Sequence, residues 1–127
     1  MNKQLRQQVY NKFNGLCAYT GKPLGYDWQV DHVEPQCHYR WHQIENGDKD
    51  DISNLLPAIK IVNHYKRGKN LDLFRKSMLT FHIRLKKLPK KTQLKRTEKR
   101  IIYMKTISDL FDITVDKPFS GKFYFEK

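Results

Sequence analysis

The chain has 127 residues, of which 39% are hydrophobic, so it is expected to fold as a single domain (1–127) with one modest core. Its 25 lysine and arginine residues exceed its 13 aspartate and glutamate residues by 12, and this excess makes nucleic acid the expected partner. No run approaches the roughly 18 apolar residues of a membrane span and no apolar leader is visible, which predicts a soluble, cytoplasmic protein with no membrane partner.

The first predicted element is an amphipathic helix over residues 3–13, because its apolar side chains recur at three- and four-residue spacings. It should close at Asn14 and Gly15. The period then changes, and residues 16–20 and 26–32 are predicted to be two strands of a hairpin joined through the turn-prone residues 21–23.

Residues 34–53 are polar and irregular, and a loop of this length in a small domain is usually functional. A short helix is predicted over residues 58–66, with Pro57 near its start and Gly68 just past its end. The predicted order is therefore strand, strand, loop, helix.

The remaining residues favour an antiparallel pair of helices. One apolar stripe over residues 71–88 predicts a single helix that Pro89 terminates. A second helix is predicted from about residue 92 to residue 111. The aromatic tail 121–126 is expected either to add a strand or to cap the core.

Three short segments carry the polar side chains of most chemical interest. They contain Asp31 followed by His32, Asn54 before Leu55, and Asn63 nine positions after Asn54. Each feature alone is common, and an asparagine before a helix is more often an ordinary cap than a catalyst. In this order, and preceded by the sequence of residues 17–23, they resemble the HNH endonuclease family over about residues 13–75.

The resemblance implies an α+β protein with a ββα-metal core over about residues 13–75. An N-terminal helix and the C-terminal helical extension, about residues 76–127, would flank this core. It also implies a metal-dependent endonuclease that cuts DNA and leaves 5′-phosphate and 3′-hydroxyl ends.

By the same resemblance, His32 is the general base, and a neutral imidazole with a reference pKa of about 6.5 suits that role. Asp31 and Asn63 would hold one Mg²⁺ or Mn²⁺, which prefer oxygen ligands. Asn54 would orient His32 or its loop. Since neighbours on a regular strand point to opposite faces, the backbone must bend between Asp31 and His32.

The chain departs from relatives that hold a structural zinc with two Cys-x-x-Cys pairs. Only Cys17 is retained, and Thr20, Ile59 and Val62 stand at the other positions, which identifies an HNN-type variant with no structural zinc. Ile59 and Val62 are expected to pack where that zinc would lie. Two interpretations remain open for Cys17, Cys37, His38 and His42. They could form a different zinc site, or they could be polar loop residues that contact DNA.

Phosphate contacts are predicted near the metal helix, at Lys60, Lys66, Arg67 and Lys69. Among the aromatic residues, Tyr39 and Trp41 could stack on bases, whereas Trp28 is expected in the core. His64 is a second candidate for the metal position of Asn63, although it lies about 100° round the helix from Asn63.

An alternative function is a catalytically inactive HNH-like module that only binds nucleic acid, and a basic interaction hairpin is a third. Double-strand cleavage is compatible with a homodimer in which two copies act together.

Overall fold

A computed structural model describes residues 1–34 and 51–127 as a mixed α+β protein, which confirms the predicted class. The helices and strands, numbered along the described chain, are α1 (Lys3–Asn11), β1 (Gln29–His32), β2 (Leu55–Ala58), α2 (Lys60–Lys66), α3 (Leu71–Leu79), α4 (Phe81–Lys86) and α5 (Lys95–Leu110). Short 3₁₀ turns cover Ile52–Asn54 and Tyr124–Glu126. None of the described helices has both the length and the apolar character needed to cross a membrane.

The described sheet is the antiparallel pair of β1 and β2, with Gln29 opposite Ala58 and His32 opposite Leu55. The predicted hairpin between residues 16–20 and 26–32 is therefore wrong. Its first segment makes one isolated bridge, from Leu16 to Pro23, and is otherwise turn. The true partner of β1 is residues 55–58, more than twenty positions later in the sequence, where local periodicity could not identify it.

Residues 17–22 form a tight loop instead of a strand. The Cys17 N–H donates to the Lys22 carbonyl at 2.8 Å, and the Gly21 N–H donates to the Cys17 carbonyl at 2.8 Å. Gly21 has a φ of 73°, which a residue without a Cβ adopts readily. The loop also joins the sheet, because the Ala18 N–H donates to the Pro57 carbonyl at 2.9 Å.

Helix α2 begins at Lys60, two residues later than predicted, because residues 55–58 belong to β2. Pro57 thus lies inside a strand and not at a helix start. A proline is compatible with an edge strand. It has no backbone N–H to donate to a neighbouring strand, and at an edge that hydrogen bond is not required.

Within the predicted single domain, the described residues group into two compact units, one formed by residues 1–74 and 123–127 and the other by residues 75–122. In the first unit, Val9, Trp28 and Leu55 form a buried cluster. Trp28 is thus a core residue, as predicted, and the Arg6 guanidinium lies 3.9 Å from its ring centre. Asn14 and Gly15 have φ values of 55° and 82°, which fits the predicted closure of α1.

The aromatic tail caps the core of the first unit and does not add a strand. Phe123 is fully buried, stacked on Phe74 with 5.1 Å between ring centres and set edge-on to Tyr19 at 5.3 Å. Two backbone bonds tie the tail to the loop of residues 17–22, from Tyr124 N–H to the Tyr19 carbonyl and from Phe125 N–H to the Ala18 carbonyl. Of the two predicted alternatives, the capping role is the one observed.

The predicted single helix over residues 71–88 is wrong, because the helix breaks at Thr80 into α3 and α4. The break frees the Ser77 carbonyl, which accepts from the Thr80 hydroxyl at 3.2 Å and from the Arg84 guanidinium at 2.8 Å. Threonine side chains compete with the helical ladder in this way, and the apolar stripe alone does not show it. Helix α5 fits its prediction closely and ends at Leu110.

Candidate active site

Two of the predicted site residues, Asp31 and Asn63, belong to the packed surfaces of β1 and α2. Alternation along β1 puts Gln29 and Asp31 on one face of the strand, and residues three apart on a helix share one side of it. The Asn63 amide donates to the Gln29 side-chain oxygen at 2.8 Å, and Lys66 contacts Asp31. The fold therefore brings the two predicted metal ligands to one interface.

Among the residues that the structure describes, Asp31 is the buried carboxylate, with 6% of the residue exposed. The Lys66 Nζ lies 3.2 Å from Oδ2 and 3.4 Å from Oδ1, and the Tyr19 hydroxyl donates to Oδ2. Burial raises the pKa of the Asp31 carboxyl, and Lys66 and Tyr19 partly offset that effect. Burial and the neighbouring Asp31 charge raise the pKa of Tyr19 well above its ordinary value, so the phenol stays a donor.

His32 is the last residue of β1 and is half-buried. The predicted bend between Asp31 and His32 is wrong, since both residues pair regularly with Leu56 and Leu55 of β2. The two side chains consequently leave opposite faces of the strand, and His32 shares its face with Val30. They remain neighbours in sequence at the end of β1.

Asn54 holds the backbone that follows His32. Its side-chain oxygen accepts from the Glu34 N–H at 2.8 Å and its amide donates to the Glu34 carbonyl at 3.4 Å. Its own carbonyl accepts from the Val33 N–H at 2.9 Å. Asn54 is thus placed to orient the loop after the histidine.

The four predicted phosphate contacts differ in accessibility. Lys60 and Arg67 are exposed and Lys69 is half-buried. Lys66 is fully buried and its ammonium contacts Asp31 and the His32 carbonyl, the latter at 3.3 Å. The structure therefore places Lys66 in the Asp31 cluster and not on a phosphate-binding surface.

Arg67 ends α2 in a backbone conformation that suits glycine, with φ 54° and ψ −137°. Replacing it with glycine is expected to raise the free energy of unfolding by about 1 kcal/mol, because relief of strain exceeds the added entropy of the unfolded chain. Thermal unfolding measures this gain. Arg67→Ala removes the same guanidinium but keeps the Cβ, so an equal gain in that variant would contradict the strain argument.

The positions that the HNH resemblance pairs with zinc thiolates of other proteins are largely apolar in this chain. Val62 and Cys17 are fully buried and Ile59 is half-buried. In residues 1–34 and 51–127, no group of three or more His, Cys, Asp or Glu side chains is arranged to hold a metal ion. Of the rival zinc set, Cys37, His38 and His42 lie outside the described residues, as do Tyr39 and Trp41.

Sequence reasoning missed Tyr19 and Gln29 at the site, and it assigned Lys66 to phosphate binding instead. Tyr19 and Lys66 are the partners of Asp31, and Gln29 is the partner of Asn63. The alternation of Gln29 with Asp31 and the three-residue step from Asn63 to Lys66 were visible signals. Their pairing depended on knowing that β1 and α2 face each other. His64, the second candidate ligand, is exposed.

Comparison of the chain with protein-family models, curated proteins and solved structures finds no match.

Proposed function

We propose that the chain is a metal-dependent endonuclease of the HNH type that hydrolyses phosphodiester bonds in DNA. The observation that carries the proposal is the placement of Asp31 and Asn63 on the facing sides of β1 and α2, where Asp31 contacts Lys66 and Asn63 contacts Gln29. Asn54 is hydrogen-bonded to the backbone of Glu34, two residues after His32. Two paired strands followed at once by a helix are also the arrangement that the name ββα-metal describes.

The residues at this interface fit a hard divalent cation. Asp31 and Asn63 offer a carboxylate and an amide oxygen, which suit Mg²⁺ or Mn²⁺. The Asp31 carboxylate is desolvated, and the Lys66 ammonium already contacts both of its oxygens. When bound, the cation would supply Lewis-acid stabilisation of the phosphate and of the departing oxygen.

His32 is the general base in this proposal. An imidazole takes a proton from water efficiently near neutral pH, because its ordinary pKa lies close to the working pH. Asn54 acts on the reaction by holding the backbone of Glu34, two residues beyond His32. It is therefore a positioning residue. His32 leaves the face of β1 opposite to Asp31, so in this proposal it activates the water from the end of the strand.

DNA is the proposed substrate because the charge of +12 favours a polyanion. Near the site, Lys60 and Arg67 present exposed cationic groups at opposite ends of α2. Phosphate contacts of this kind position a duplex without reading its sequence.

The direct test is incubation of the purified chain with supercoiled plasmid and Mg²⁺ or Mn²⁺. Nicked or linear DNA is expected with either metal, none is expected with a chelator, and excess metal should restore cleavage. A parallel preparation of His32→Ala controls for contaminating nucleases. Plasmid that stays supercoiled with both metals, although it binds the protein, would contradict the proposal.

A further inference from the structure

Lys66 is a lysine with no exposed surface, which is unusual for this residue type. Its ammonium lies 3.2 and 3.4 Å from the two Asp31 oxygens and 3.3 Å from the His32 carbonyl. These contacts neutralise the negative charge of Asp31, the carboxylate that the proposed function assigns to the metal. Lys66 and the cation would therefore rely on the same negative charge.

One carboxylate does not compensate both charges well. An ammonium and a divalent cation on the same carboxylate would repel each other, and solvent screens that repulsion poorly because Asp31 and Lys66 are buried. Asn63, the second proposed ligand, is neutral and adds no negative charge. Of the described residues around Asp31, Tyr19 contributes only a neutral hydroxyl. Binding of the cation is therefore coupled to the position of Lys66.

The chain allows the lysine to move. Lys66 is the last residue of α2, and helix ends open more easily than helix interiors. Its flexible aliphatic stem can carry the ammonium away while the helix stays in place. Asn63 lies one turn earlier in α2, so its contact with Gln29 does not depend on that movement.

We propose that Lys66 is an internal competitor of the divalent cation, a positioning residue whose ammonium holds Asp31 and must leave the carboxylate when the cation binds. This inference rests on the proposed function. It assigns Lys66 to control of metal loading and not to contact with DNA.

The test compares Mn²⁺ affinity, measured by electron paramagnetic resonance of the free ion, between the wild-type chain and Lys66→Met. Affinity is expected to rise on the order of tenfold or more, because a repelling charge beside the ligand is removed. Lys60→Met is the matched control, since it removes the same charge from an exposed position of the same helix. It should change affinity much less. Mn²⁺ should also raise the Tm of Lys66→Met more than that of Lys60→Met.

Removing one partner of a buried ion pair is costly, so a second measurement uses the wild-type chain. Nitrogen-15 NMR of lysine side chains should show a protected Lys66 ammonium that shifts and exchanges faster with solvent when Mg²⁺ is added. An ammonium signal unchanged at saturating Mg²⁺ would overturn the inference. So would equal Mn²⁺ affinity in wild type and Lys66→Met.

The two proposals fail in different ways. If the wild-type chain cleaves plasmid but binds Mn²⁺ with the same affinity as Lys66→Met, the inference about Lys66 is wrong and the proposed nuclease function stands. If Lys66→Met binds Mn²⁺ more tightly but the wild-type chain does not cleave plasmid, the proposed nuclease function is wrong. The inference that Lys66 competes with the cation for Asp31 then stands.

Discussion

Replacing His32 with alanine is expected to lower the rate of DNA cleavage by about 10²–10⁴-fold, the usual contribution of a general base. The residue is half-buried at the end of β1, and its backbone pairing with Leu55 does not need the imidazole. Binding of DNA, measured by gel shift in the presence of Ca²⁺, should stay within a few-fold of wild type.

The informative companion is His64→Ala. His64 is exposed on α2 and lies next to Asn63 in sequence, about 100° round the helix from it. We expect this variant to cleave at nearly the wild-type rate. Loss of cleavage in His64→Ala with preserved cleavage in His32→Ala would reverse the assignment and place the reactive imidazole on the helix.

Replacing Phe123 with alanine is expected to cost the first unit about 3–5 kcal/mol of stability, the range for deleting a buried aromatic ring. Phe123 has no exposed surface and packs against both Phe74 and Tyr19. The cavity would open beside the tyrosine that donates to Asp31, so metal affinity should fall with stability. Urea unfolding followed by circular dichroism measures the first effect.

The matched control for this variant is Tyr26→Ala, an aromatic truncation in the same unit at a residue that is 98% exposed. Substitutions at such positions usually change stability by no more than about 0.5 kcal/mol. If Phe123→Ala were no more destabilising than Tyr26→Ala, the tail would not be part of the core as described.

The elements that sequence reasoning placed well are those whose signal is local. Helix α1 ends at Asn11, two residues before its predicted end, and the chain then turns at Asn14 and Gly15, which have positive φ. Helix α5 has enough turns for its apolar positions to establish the period. Local sequence also placed Trp28 in the core. Capping and periodicity act within a few residues, so they can be recognised without a fold.

The elements that were misplaced depend on distant partners. Residues 16–20 have a strand-like composition, yet the main chain of Ala18 bonds to Pro57 and to Phe125. Residues 55–58 looked like the approach to a helix, but β1 recruits them as a strand. The break at Thr80 was also missed. The apolar stripe continues through it, but the Thr80 hydroxyl and the Arg84 guanidinium both donate to the Ser77 carbonyl there.

Composition and residue order were enough to predict a strongly basic α+β chain with four polar residues whose types suit phosphodiester chemistry, Asp31, His32, Asn54 and Asn63. The surroundings of each of these side chains became known from the packed fold. Lys66 is buried against Asp31, Asn63 donates a hydrogen bond to Gln29, and His32 lies on the face of β1 opposite to Asp31. The physical reason is that composition and spacing encode side-chain chemistry, whereas burial and ion pairing arise only when segments far apart in the chain pack together.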